Sequence, residues 1–278
     1  MTSSHPRADA PSPGTSRTFE MAAIAYALVV YLFLYVPILY LAAFSFNDGM
    51  GVVPPFRGFS MRWYLEVLDD RLLHKALVNS ILLGVTTALI ASLLGTLMAF
   101  GFRSRFAGKD LLLNLILLPV LAPGIILATG LLLVWMYLGR SPSLMTSTLA
   151  AHVTYALPFV FLVVFPRLHK FDRSLEEAAM DLGAGPVTTF VKVTGPIIAP
   201  GIIAAAIFAF TVSFDEFILS FFLVGNSTTL PVYLWGILLI RLTPEVNAIG
   251  FLILVFSVAL TFAGNTLLES KGAPRWRR

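Results

Sequence analysis

Asp215 and Glu216 stand side by side in an apolar run, 197–224, that holds no other charged residue. A carboxylate in hydrocarbon costs a few kcal/mol or more, so such a pair belongs at a bundle interior or a wet cavity, where it attracts cations. Neighbouring helix residues point about 100° apart, so both acids do not readily face one path. Two roles fit. One or both carboxylates line a route and stabilise a cation, or one of them caps a break in the helix or pairs with Arg241.

A second group lies in the polar stretch 167–196. Ser174 followed three residues later by Glu177 has the spacing of a capping box, which predicts a helix from Leu175. Leu175, Ala178, Ala179 and Leu182 then share one apolar face, Gly183 suits the left-handed C-terminal position, and Pro186 opens a second short helix through Lys192. A first helix of about eight residues does not hold alone in water and needs a surface to dock on. That surface is either a groove on a separate soluble partner or the chain's own membrane domain, with Glu177 serving only as a cap.

The remaining polar candidates are sparse. Pro119 and Pro123 remove backbone donors and predict a kink near Ala122, serving either a pathway or packing. Asn79 and Ser80 either touch substrate or hydrogen-bond between helices. His152 and His169 lack ligand spacing, so no metal is expected, and the lack of cysteine removes thiol catalysis and disulfides. Gly108-Lys109 is followed by Asp110, and Arg103 stands where a phosphate loop needs its first glycine, so no nucleotide site and no cofactor are expected. Trp63, Tyr64, Tyr233 and Trp235 sit where interfacial aromatic anchors belong.

The elements that must position these residues follow from charge scarcity. Of 278 residues, 58% are apolar and 12% are charged, about half the usual charged share, which excludes a soluble enzyme. Six spans fit the uncharged runs, at about 21–45, 76–101, 111–138, 146–166, 197–224 and 246–268, each near the roughly 20 helical residues that cross hydrocarbon. With the N-terminus inside, thirteen of the 19 Lys and Arg residues fall on the inner face, giving an N-in, C-in topology. The basic balance is then a membrane signature and needs no nucleic acid. Residues 1–20 read as a disordered cytoplasmic tail, 21–268 as the six-span domain with its loop at 167–196, and 269–278 as a basic cytoplasmic tail. The first run is too long for a signal peptide and reads as an uncleaved anchor. The apolar stretch 231–241 is about half a span and suggests an interfacial or re-entrant helix.

Glu177-Ala178-Ala179, three residues, Gly183, nine residues, then Val193-Thr194-Gly195-Pro196 resembles the EAA loop of ATP-binding-cassette importer permeases, with Val193 for Ile and Gly195 for Leu. Tyr35-Val-Pro-Ile, Ser45-Phe-Asn47, Gly58-Phe-Ser-Met-Arg-Trp-Tyr64, Asn79-Ser80, Leu157-Pro-Phe159, Ser213-Phe-Asp-Glu-Phe217 and Pro244-Glu-Val-Asn-Ala248 are similar to the spermidine/putrescine permeases of the PotC type. The resemblance implies an all-α, MetI-like bundle in a bacterial inner membrane, paired with a sister permease of the PotB type. It further implies two ATPase subunits docked on the coupling loops, through Ser174, Glu177, Ala178, Ala179, Leu182 and Gly183, and a periplasmic binding protein that delivers substrate. Asp215, Glu216, Asn79 and Pro123 become the candidate substrate pathway. Iron, opine and aminophosphonate remain alternative cargoes. An ion-coupled secondary transporter is a rival that leaves the loop unexplained, and an intramembrane enzyme lacks its nucleophile or paired ligands.

Overall fold

The uncharged runs fold as helices, because in lipid a helix satisfies its own backbone polar groups. The structure, a computed structural model, describes residues 13–52, 54–240 and 243–270. Its helices are α1 (Pro13–Phe44), α2 (Arg62–Asp69), α3 (Arg71–Gly101), α4 (Lys109–Leu121), α5 (Gly124–Tyr137), α6 (Leu149–His169), α7 (Ser174–Asp181), α8 (Pro186–Thr189), α9 (Gly195–Asp215), α10 (Ile218–Leu223), α11 (Leu230–Ile240) and α12 (Glu245–Ser270). The only extended pairing among the described residues is an isolated bridge between Asn47 and Phe59. Among the described residues, four helices are long and apolar enough to cross a membrane, and a bent pair makes a fifth candidate. The chain is a multi-pass membrane protein.

Two compact units are present: residues up to Leu65 with Thr243–Ile253, and Glu66–Leu242 with the residues from Leu254 on. In the first, α1 already begins at Pro13, so 13–20 are helical where a disordered tail was expected. Proline is pre-organised for a first helical turn, and a long span behind it propagates the helix. The rest of that tail, and 271–278 of the C-terminal one, lie outside the described residues. After α1 the chain folds onto itself: Asn47 Oδ1 accepts the Arg57 N–H at 2.8 Å, and the Trp63 indole donates to the Asn47 carbonyl at 2.8 Å. Tyr64 donates to Ser45 Oγ at 2.7 Å. Trp63 is 3% exposed, so it is a structural post and not the interfacial anchor its type suggested.

In the second unit α3, α6 and α9 pack together through small residues: Ala88, Ala91 and Ala99 on α3, Ala156 on α6, and Ala205 and Ala209 on α9, filled in by Val160, Phe161, Val164 and Leu168. Small side chains let backbones approach where lipid offers no hydrophobic drive. The tightest point is Gly95, where a Cβ would stand 2.6 Å from Val160 Cγ1. Gly95→Val should therefore lower stability by about 1–3 kcal/mol, the usual cost of overpacking. A thermal-shift measurement of the detergent-solubilised protein checks this, and an unchanged midpoint refutes it.

The stretch 111–138 departs most from its expected form. The kink expected near Ala122 is a 105° bend between α4 and α5. Pro123 forces Ala122 into an extended conformation, with ψ 137°, and ends α4. At 13 and 14 residues each half is about 20 Å long, short of the ~30 Å hydrocarbon core. α6 is entered through a π-helical turn, Leu144–Thr148, and α11 is the short apolar helix expected near 231–241.

Candidate functional site

The polar loop after α6 is built by a different cap from the one the spacing suggested. Asp172 Oδ1 accepts the Ser174 N–H at 3.0 Å, α7 starts at Ser174, and the Glu177 N–H goes to the Arg173 carbonyl at 3.1 Å. The Ser174–Glu177 capping box does not form. Bonds from the Ser174 N–H and hydroxyl hold the exposed Asp172 carboxyl below its ordinary range. The other end is as expected. Gly183 lies at φ +87°, its N–H reaches the Met180 carbonyl at 2.9 Å, and the Ala184 N–H reaches Ala179 at 3.0 Å, a complete Schellman motif.

α7 has no buried residue, and Leu175 (45%), Met180 (46%) and Leu182 (90%) are exposed. Glu177 and Ala178 are exposed as well, while Ala179 is half-buried. The chain's own membrane helices therefore do not cover this face. The acid that turns inward is Glu176, whose Oε1 accepts Arg103 Nη1 at 2.9 Å and the Thr194 hydroxyl at 2.7 Å. Burial is the largest influence on this carboxyl and would raise its pKa. The bonds from Arg103 and Thr194, with the charges of Arg103 and Arg173, outweigh it and hold the group below its usual range. No local signal separates Glu176 from Glu177, because its partner lies 73 residues away.

Pro186 does open a helix, but that helix does not stop at Lys192. It runs without interruption to Asp215 through a π-helical turn, Phe190–Thr194. Gly195 donates to the Phe190 carbonyl, and a Cβ on Gly195 would stand 2.8 Å from that same oxygen. The leucine of the EAA pattern does not fit this turn, which accounts for the glycine.

The acidic pair lies at a break and not within a continuous span. α9 ends at Asp215, Glu216 is extended at φ −73° and ψ 109°, and α10 restarts at Ile218. Glu216 Oε1 accepts the N–H groups of Ile218 at 3.0 Å and Leu219 at 3.2 Å, so this acid caps the second half of the broken helix. Asp215 is exposed, and Arg241, its suggested ion partner, lies outside the described residues. His152, 1% exposed on α6, spans the break, with Nδ1 2.8 Å from Ser213 Oγ and Nε2 3.0 Å from Ser220 Oγ. The neighbouring break joins in: a Cβ at Gly124, beside Pro123, would meet Ile218 Cδ1 at 3.5 Å. The Pro123 break and the start of α10 thus lie side by side, whereas Asn79 is engaged elsewhere. Its amide donates to the Thr228 carbonyl at 2.8 Å, and Ser80 Oγ accepts the Leu230 N–H at 2.8 Å, pinning the 225–230 loop to α3.

Two broken helices, one with an acidic pair at its gap, and an exposed short helix between two spans are features that suit a membrane transport subunit. Residues 91–270 match the family described as binding-protein-dependent transport system inner membrane component, and the chain belongs to that family. It is 36% identical over 239 residues to the spermidine/putrescine transport system permease protein PotC of Haemophilus influenzae, covering 85% of this chain and 92% of that one. It is also 36% identical over 242 residues to the putrescine transport system permease protein PotI of Escherichia coli strain K12, covering 83% and 85%. In fold it is similar to a chain of a bacterial ABC transporter involved in the import of the acidic polysaccharide alginate. There the TM-score is 0.73 at 18% identity, over 93% of this chain and 99% of that one. The chain is a permease subunit and not an enzyme.

Proposed function

We propose that this chain is one of two permease subunits of an ATP-driven, binding-protein-dependent polyamine importer in a bacterial inner membrane. Residues 21–268 form its six spans, N-in and C-in, counting the broken α4–α5 pair as one span and α12 as the last. A sister permease completes the pathway, two ATPases dock on the loop 167–196, and a periplasmic binding protein delivers spermidine or putrescine. Ser174, Glu177, Ala178, Ala179, Leu182 and Gly183 belong to the ATPase contact. Asp215, Glu216 and Pro123 belong to the substrate path. Asn79 serves that path indirectly, by holding the outer loop.

The observation that carries this reading is the carboxylate at the gap. Glu216 has one oxygen occupied by two backbone donors, which leaves its charge and its second oxygen for an ammonium group, beside an exposed Asp215. Its relatives named for spermidine and putrescine transport supply the cargo class. The test is reconstitution of all subunits in proteoliposomes with labelled spermidine and putrescine. ATP-dependent uptake of either supports the reading. Uptake of neither overturns the cargo, and uptake without the ATPases overturns the ATP-driven class in favour of an ion-coupled carrier.

A further inference from the structure

The loop helix α7 transmits motion only if it is fixed to the spans, and its packing does little of that fixing. None of its residues is buried, and a mostly apolar cavity of about 510 Å³, walled by Leu93, Leu97, Phe100, Met180, Val187 and Phe190, separates the loop from the cytoplasmic half of α3. What crosses the gap is polar. Glu176 Oε1 takes Arg103, which follows the end of α3, and Thr194, which ends the π-helical turn leading into α9. The Arg103 and Glu176 side chains are only 10% and 18% exposed. Arg173 closes the junction by donating to the Arg103 carbonyl at 3.2 Å, and Phe100 and Phe171 each lie 5.7 Å from the Arg103 guanidinium.

We infer that Glu176 is the positioning residue of the coupling loop, joining α7 to two transmembrane helices at once, while Glu177 faces outward toward the docked subunit. The π-helical turn belongs to the same device. An extra residue in the turn resets the direction of Thr194 relative to α9, and Gly195 is the residue that permits it. The inference rests on the coupling role proposed above.

The test is a double-mutant cycle in the complete complex with Glu176→Ala, Arg103→Ala and both together. Transport per ATP hydrolysed is the readout, alongside retention of the ATPases on purification. Each single variant should lower transport per ATP roughly tenfold with the ATPases still bound, and the double variant should be no worse than the worse single. Unchanged ratios, additive losses, or release of the ATPases would overturn the inference. The chain has no cysteine, so Leu182→Cys carries its only thiol and reports docking separately by cross-linking to the ATPase. No cross-link overturns the coupling reading and this inference with it. A cross-link with an unaffected Glu176→Ala variant overturns this inference alone.

Discussion

Replacing Glu216 by glutamine is expected to leave the assembled transporter intact while weakening its apparent affinity for spermidine about tenfold or more. The substitution is selective because the glutamine oxygen still accepts the Ile218 and Leu219 N–H groups, so the cap on α10 survives and only the charge is lost. An ammonium 4 Å from a carboxylate gains ~4 kcal/mol at an effective dielectric near 20. Desolvation offsets much of that, and the ~1.4 kcal/mol needed for a tenfold effect is a modest remainder. Asp215→Asn should act in the same direction, more weakly, because that side chain is exposed and more screened. Uptake titrations in proteoliposomes measure both. If both variants assemble normally and keep their apparent affinity, the substrate role of this pair is wrong.

The second large effect is expected at Gly183, where valine should abolish substrate-stimulated ATP hydrolysis without removing the protein from the membrane. At φ +87° a β-branched residue is a steric outlier, and the left-handed region costs ordinary L-residues roughly 1–2 kcal/mol. Space is not the problem, since a Cβ there meets nothing within 4 Å. An eight-residue helix has little reserve, so losing the bonds from Gly183 to Met180 and from Ala184 to Ala179 unwinds its last turn. Driving a permease from 1:99 to 99:1 between inward and outward access requires ~5.5 kcal/mol of differential interaction. If the coupling loops carry it, a frayed α7 cannot. The core of α3, α6 and α9 involves no residue of α7, so insertion should be normal. Gly183→Ala should fall between wild type and valine. Ordinary stimulation in Gly183→Val would remove the loop from the mechanism.

What the sequence made legible, and what it hid, divides along physical lines. Charge scarcity and helical length made the helical, multi-pass character legible, because one side chain per position suffices to decide whether a segment tolerates lipid. Gly183 was legible for a similar reason, since a single residue type answers a single backbone demand. Pro119 and Pro123 announced a bend, but its 105° could not be read from them, because α10 packs against α5 from nearly a hundred residues away. Glu216 could be assigned to neither role in advance: an acid in an apolar run looks the same whether it faces a path or caps a gap, and here it sits at the gap as a cap. Asp172 and Ser174 are both good caps, and only the backbone decided between them. The inward turn of Glu176 depended on Arg103, a long-range partner that periodicity does not encode.

The cap on Glu216 also bears on how long a cargo would linger. A transport site must release what it admits, and a bare carboxylate in a low-dielectric passage holds a cation too well. Here two amide N–H groups and the positive end of α10 already draw on that charge before any ammonium arrives. If Glu216 holds the ammonium, the main chain then helps to set the dwell time. Backbone geometry would temper the grip of that carboxylate, while neighbouring side chains would decide which solute is admitted.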